Sequence, residues 1–295
     1  MSTLHFRQFE VPEGFIDLGL GQPDPAMYPR ELLRVAADDV LAPGRRVGED
    51  YEFLQYGAEY GDREHRIALG EYLTAAYGTE VDPELVMTTN GNSQALDLVC
   101  TVFTSPGDVV IVEEPTYFLA RGIFTDHGLT AVGVPSDRDG LDTEALATRL
   151  AALRSAGTPA RLVYCIPASQ NPTGATMSTA RRQRLVELAV EFDLLVVADE
   201  VYHLLEYGEA PPPLPLSAAV GSGRVLSLGT FSKILSPGLR LGWVHASAPL
   251  LARLVGSGII TSGGGLNPFT SAIVTSIIRS GELARNVDRL RAEYR

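Results

Sequence analysis

The sequence predicts an α/β domain in which a mostly parallel central sheet is flanked by helices. Three observations predict it. Short, β-branched, almost continuously apolar runs recur along the middle of the 295 residues, as strands buried on both faces require. Segments with apolar residues at helical spacing lie between those runs. The composition, 45% hydrophobic and 20% charged, is that of a globular chain long enough to bury a large core.

The elements follow in chain order. Residues 1–45 are rich in turn formers (Gly19, Gly21, Pro23, Pro25, Pro29) and read as an arm leading into the main body. The expected strands are Leu85–Thr88, Val109–Glu113, Ala131–Val134, Arg161–Ile166, Leu194–Ala198, Val225–Leu228 and Gly242–Ala246. Ala95, Leu98, Val99, Val102 and Phe103 share a helical face that stops before Pro106–Gly107. Leu185, Leu188, Ala189 and Phe192 share another, after a cap at Ser178 or Thr179. The cluster Pro211–Pro212–Pro213–Leu214–Pro215 predicts a surface loop. Leu254 to Ile278 is uncharged and long enough to cross a bilayer, but Gly263–Gly264–Gly265 and Asn267–Pro268 interrupt it. A glycine-rich loop and then a helix running to Arg295 are expected there. The resulting division is 1–45 arm, 46–262 large domain, and 263–295 loop and start of a helix.

Charge and cysteine usage narrow the function classes. A formal net charge of −12 without a Lys/Arg cluster argues against nucleic acid and anionic membrane as partners. Cys100 and Cys165 lie in apolar stretches without metal-site spacing, so they are expected in the core of a cytoplasmic protein, with no metal. No basic-then-apolar leader opens the chain.

Several residues carry chemistry. Lys233, in Thr230–Phe231–Ser232–Lys233, follows a strand-like run and precedes Ile234–Leu235. A desolvated lysine is suited to imine formation with a carbonyl; read alone, it is as well a surface lysine in a loop. Arg240, between Gly238 and Gly242, suits bidentate phosphate binding, or a salt bridge at a turn. Thr89–Asn90–Gly91–Asn92–Ser93 joins a strand to a helix, where backbone N–H groups form an anion seat or a plain capped turn. Asp199 ends an apolar run, with Tyr202 close behind, so its carboxylate points into the crevice at a strand end or caps a helix. Asn171–Pro172–Thr173–Gly174 and Glu114–Pro115–Thr116–Tyr117 likewise follow strands.

The order of these motifs resembles the fold-type I, class I/II aminotransferases. It is closest to the branch of 2-aminoadipate and kynurenine aminotransferases, through Tyr164–Cys165–Ile166–Pro167 leading into Gln170–Asn171–Pro172–Thr173–Gly174. The resemblance extends from Leu18–Gly19–Leu20–Gly21–Gln22–Pro23 to the terminal helix, with Thr230 in place of the family's first serine. It implies pyridoxal 5′-phosphate held as a Schiff base on Lys233, which then moves protons. Asp199 would face the pyridinium nitrogen, Asn171 and Tyr202 the ring oxygen, and Tyr117 the ring face. Asn92, Ser93, Thr230, Ser232 and Arg240 would hold the phosphate. Gly21 and Asn171 would meet substrate, and Tyr56 would reach the neighbouring subunit's cofactor in a homodimer. The implied activity is amino-group transfer between an amino acid and a 2-oxo acid.

Family members usually continue for roughly another hundred residues, a small-domain length, and that part carries the arginine that clamps the substrate carboxylate. The second small domain is therefore expected to be incomplete here, and none of Arg279, Arg285, Arg289, Arg291 or Arg295 takes the clamp's role. The alternatives are another reaction of the same cofactor (β-lyase, cyclase or decarboxylase), a cofactor-binding module with little turnover, or a sensor module of the kind found in aminotransferase-like regulators. The short arm and acidic charge disfavour the last.

Overall fold

The computed structural model describes residues 21–42, 53–208 and 212–295. Its framework is easiest to see in β2 (Val109–Glu114), where four consecutive apolar residues divide between two layers. Val110 and Val112 pack on one side of the sheet, Val109 and Ile111 on the other. A strand whose neighbours point to opposite faces must be apolar throughout when both faces are covered. The same division holds in β5 (Ala160–Cys165), with Leu162 and Tyr164 on the first side and Val163 and Cys165 on the second.

These strands belong to an eight-stranded sheet with β1 (Val86–Thr89), β3 (Thr130–Asp137), β4 (Gly140–Leu141), β6 (Leu195–Asp199), β7 (Val225–Thr230) and β8 (Gly242–Ala246). The spatial order is β1-β8-β7-β6-β5-β2-β3-β4. The central run from β3 to β7 is parallel. β8 is antiparallel to both β7 and β1, and β4 is antiparallel to β3. The expected strands all form, with ends displaced by at most three residues. β4 is two residues long, too short to leave a hydrophobic pattern.

Ten helices accompany the sheet among the described residues. They are α1 (Arg30–Val40), α2 (Arg63–Tyr77), α3 (Asn92–Phe103), α4 (Phe118–Asp126), α5 (Thr143–Ser155), α6 (Thr179–Phe192), α7 (Ala248–Val255), α8 (Gly258–Gly263), α9 (Pro268–Arg279) and α10 (Glu282–Tyr294). α3, α4 and α7 cover one face through Ala95, Leu98, Val99, Phe124, Leu251 and Leu254. α5 and α6 cover the other through Leu146, Leu150, Leu185 and Leu188. Cys100 and Cys165 are free and buried, one in each layer. A third apolar cluster joins α1, α2, α9 and α10 to Val86, Phe231, Ile234 and Trp243, and so lies behind the Lys233 segment.

Three local differences from the sequence expectation have physical causes. The described part of the expected arm, 21–42, contains α1, whose Ala36 and Val40 are buried in that third cluster. Its single apolar stripe needs a partner, and α9 supplies it. The expected glycine-rich loop includes the short helix α8, because Ile260 buries while Gly264, at φ 74°, closes the turn by donating its N–H to the Ile260 carbonyl. The terminal helix is two: Gly281, at φ 75°, takes the left-handed conformation between α9 and α10. The proline cluster lies partly outside the described residues, and so does the motif opening at Leu18. No helix among the described residues is long and apolar enough to cross a membrane.

Candidate active site

Sheet direction brings the site together. Two antiparallel steps, β7 to β8 and β8 to β1, return β1 to the sense of the parallel strands. The C-terminal ends of β1, β2, β5, β6 and β7 therefore open onto one edge, where α/β sheets bind ligands. Into that edge run the segments carrying Gly91, Tyr117, Asn171, Tyr202 and Lys233, and Arg240 lies just before β8.

Gly242 is where three backbones meet. It pairs with Thr89 on one side and Thr230 on the other. A Cβ there would fall 2.6 Å from the Gly229 carbonyl oxygen and 3.0 Å from the Gly91 Cα. Only glycine lets the strands close, and closure sets the start of α3 beside Arg240. Gly91, the N-cap of α3, has φ 80°, and no side chain caps the helix. The Arg240 guanidinium lies over it: a Cβ on Gly91 would be 3.0 Å from Nη2. Nη1 of Arg240 donates to the Pro237 carbonyl at 3.2 Å and Nη2 to the Asn90 carbonyl at 3.3 Å, which fixes the guanidinium plane while leaving it exposed. Ser232 is placed by Thr230: its N–H donates to Thr230 Oγ1 at 3.1 Å, and the two hydroxyls are 2.9 Å apart. Ser93 is exposed on the first turn of α3.

Asp199 ends β6 and is buried. The Tyr164 hydroxyl donates to Oδ2 at 2.7 Å and Asn92 Nδ2 donates to Oδ1 at 2.6 Å. Burial pushes the carboxyl up, while Tyr164, Asn92 and the charge of Lys233 act in the opposite direction and favour the anion. Burial holds the Lys233 amine below its ordinary value, against the raising charge of Asp199. Lys233 Nζ donates to the Gly21 carbonyl at 3.1 Å, so the described end of the N-terminal segment crosses the cleft. Burial raises the Tyr202 phenol, with the Asp199 charge acting the same way and the neighbouring Asn171 amide acting in the opposite direction. Burial pushes Tyr117 up to about 12, and the nearby Asp199 carboxylate acts in the same direction.

The structure thus gathers Gly21, Asn92, Tyr117, Asn171, Asp199, Tyr202, Thr230, Ser232, Lys233 and Arg240 at one edge, with Ser93 beside them. Asn92 differs from its expected use, since its side-chain amide turns to Asp199 and leaves only its backbone toward the seat at the start of α3. Tyr56 is 79% exposed and has no side-chain partner in its own chain among the described residues that would place it in the cleft. Sequence reasoning missed Tyr164, Glu113 and Gln170. Tyr164 has a sequence signal: alternation in β5 sets it on the face of α3, where a phenol needs a polar partner. Glu113 and Gln170 carry no pattern.

These residues fit a pyridoxal phosphate. Its phosphate needs N–H donors and a cation, which the uncapped start of α3 and Arg240 provide. Its ring nitrogen needs a buried anion and its aldehyde an amine of lowered pKa, the properties of Asp199 and Lys233.

The chain resembles known proteins over most of its length. The chain is 36% identical over 282 residues to aromatic-amino-acid aminotransferase 1 of Thermococcus litoralis, covering 95% of this chain and 66% of that protein. The fold superposes on the multiple substrate aminotransferase of Thermococcus profundus with a TM-score of 0.84 and 35% identity, over 93% of this chain and 66% of that one. It also matches the α-aminoadipate aminotransferase of Thermus thermophilus, solved with N-(5′-phosphopyridoxyl)-L-leucine, at TM-score 0.76 and 32% identity over 92% of this chain and 66% of that one. The chain thus spans about two thirds of the length of these relatives. Residues 13–295 match the family described as aminotransferase class I and II, a pyridoxal 5′-phosphate-dependent family, and the chain belongs to it.

Proposed function

We propose that this chain is the cofactor-binding body of an aminotransferase that moves an amino group between an amino acid and a 2-oxo acid by a ping-pong cycle. The observation that carries this reading is the placement of Lys233, held half-buried near Asp199 with its pKa depressed, beside the Arg240 and α3 anion seat. When bound, pyridoxal phosphate supplies an electron sink that stabilises the carbanion left by loss of the α-proton.

The chain's own residues do the rest. Lys233 Nζ is the amine to which the cofactor is joined, and once freed it takes and returns the substrate proton. Asp199, whose anion Tyr164 and Asn92 favour against the raising effect of burial, would face the ring nitrogen and favour a proton there. Tyr202 and Asn171 would hold the ring oxygen, and Tyr117 would pack on the ring face and help fix its plane. The backbone of Asn92 and Ser93, with Thr230, Ser232 and Arg240, binds the phosphate. Gly21 and Asn171 border the substrate. Tyr56 reaches the partner's cofactor, so the working unit is a homodimer in the cytoplasm. Residues 46–262 form the large domain, with 1–45 leading into it and 263–295 following it.

Absorbance spectroscopy tests the reading. Purified chain with pyridoxal phosphate is expected to show a near-visible imine band that Lys233→Ala abolishes. An unchanged band in that variant overturns the assignment of Lys233. Adding an amino acid donor should bleach the band with one keto acid formed per site, whereas release of ammonia would show lyase chemistry instead.

A further inference from the structure

We infer that Gln170 and Glu113 form a latch holding the loops on either side of the cofactor cleft in fixed relation, one carrying Tyr117 and the other Asn171. Both act as positioning residues. The inference rests on the proposed cofactor site.

Gln170 is 2% exposed and all of its side-chain hydrogen-bonding capacity is directed. Its Nε2 donates to the Pro115 carbonyl at 2.9 Å and to Glu113 Oε2 at 3.3 Å. Both acceptors belong to β2 and the segment leaving it. Its Oε1 accepts from the N–H and hydroxyl of Thr173 at 2.8 and 2.7 Å, within its own loop. The amide is therefore a bridge with donors on one loop and acceptor on the other. Its main chain closes the loop as well: Gln170 N–H donates to the Ala175 carbonyl and Gly174 N–H to the Gln170 carbonyl.

Glu113 completes the bridge. It is 1% exposed at the end of β2, and its Oε2 accepts from the Ile166 N–H at 2.9 Å, just past β5. One carboxylate oxygen thus ties two parallel strands at the point where each enters the site. A further tether runs from the Asn171 loop to the segment after Tyr202: the hydroxyls of Ser169 and Thr176 donate to Glu206 Oε1 at 2.6 and 3.1 Å. Pro115 is two residues from Tyr117, and Gln170 adjoins Asn171. The ring-covering and ring-oxygen groups are consequently set by buried bonds rather than by loop packing alone. Displacements of about an ångström at such positions are enough to disturb catalysis.

Cofactor-free chain is first compared with Gln170→Ala and Glu113→Gln by amide hydrogen exchange. Gln170→Ala should accelerate exchange at Ile166, Thr173 and Gly174 by about tenfold or more, with overall secondary structure intact. Pyridoxal phosphate affinity should then fall roughly ten- to a hundredfold, the usual cost of losing a residue that orients the binding groups. The near-visible band should also shift position. Glu113→Gln keeps an acceptor for Ile166 and should change each readout by less than about threefold. If Gln170→Ala does not fold, Gln170→Met keeps the volume while removing every donor and acceptor, and the same outcomes are expected. Unchanged exchange and band position in the folded variant, with only a lower melting temperature, would reduce Gln170 to packing and overturn the latch. The exchange measurement needs no cofactor, so failure of wild-type chain to bind pyridoxal phosphate would strike the proposed function and leave the latch tested.

Discussion

Two buried acids stand at the same strand edge, and their partners differ. Asp199 receives hydrogen bonds on both oxygens and lies under the influence of Lys233. Glu113 receives its bonds on Oε2, whereas Oε1 is buried with no protein partner. Burial, aided by the charge of Asp199, raises Glu113 to about 7 despite those bonds. Its folded pKa is thus above its unfolded value, so the folded chain binds the extra proton between roughly pH 4.3 and 7. The associated stability is present below that window and lost as pH rises through it. Glu113→Gln, which carries no charge, should therefore gain on wild type by on the order of 2 kcal/mol between pH 5 and pH 8. Urea unfolding at both pH values measures this, and an equal difference at the two would refute it. At this scale the ordered motifs made Lys233, Asp199, Asn171 and Arg240 legible in the sequence. Glu113 and Gln170 were not legible, because they meet only through the folding of remote segments and each also bonds a main-chain group, Ile166 N–H or the Pro115 carbonyl, which leaves no residue type to read.

Among the elements, the β7–β8 pair connects the Lys233 segment to Arg240, and it has little tolerance. Trp243, 2% exposed and edge-on to Phe231 at 5.1 Å, lies across Gly229. A Cβ on Gly229 would come 2.0 Å from the indole Cε2. Gly229→Ala must displace the indole or part the strands, and it should destabilise the chain by roughly 1–3 kcal/mol. Thermal melting checks this, and a midpoint within about a degree of wild type contradicts it. The elements themselves were largely visible in advance, because strands buried on both faces are apolar throughout and β-branched. The antiparallel turn of β8 was not visible, since direction leaves no mark on composition. The break at Gly281 was hidden too: Ile273, Val274 and Ile277 before it and Leu283, Val287 and Leu290 after it all bury in one cluster, so the apolar recurrence runs on through the glycine.

For the molecule as a whole, the surface near Tyr56 is informative. Its segment is bound to the end of α8, with Gly265 N–H donating to the Gly57 carbonyl at 2.7 Å. Leu54, Tyr56 and Ile259, on these two adjoining segments, are 63%, 79% and 61% exposed. Grouped apolar exposure of this kind marks association surfaces. Sedimentation equilibrium is expected to return twice the chain mass of 31.7 kDa. Leu54→Asp combined with Ile259→Asp should halve that mass and weaken pyridoxal phosphate binding. A wild-type monomer at tens of micromolar, about where weak homodimers dissociate, would contradict the shared site. Tyr56 was noticed in the sequence through family resemblance alone, since a single exposed aromatic carries no periodicity.

The pairing of β1 with β8 has a consequence in time. It brings Val86 to His245, the first strand to the last among the described residues. Contacts between remote parts of a chain close late, because the intervening loop's entropy must be lost before they form. The anion seat straddles that seam: Gly91 follows β1 and Arg240 precedes β8. The seat thus does not exist on a half-built sheet, and a nascent chain cannot capture its phosphate early. Once filled, the same seat bridges the segments beside β1 and β8, so the ligand's binding energy falls on that long-range seam.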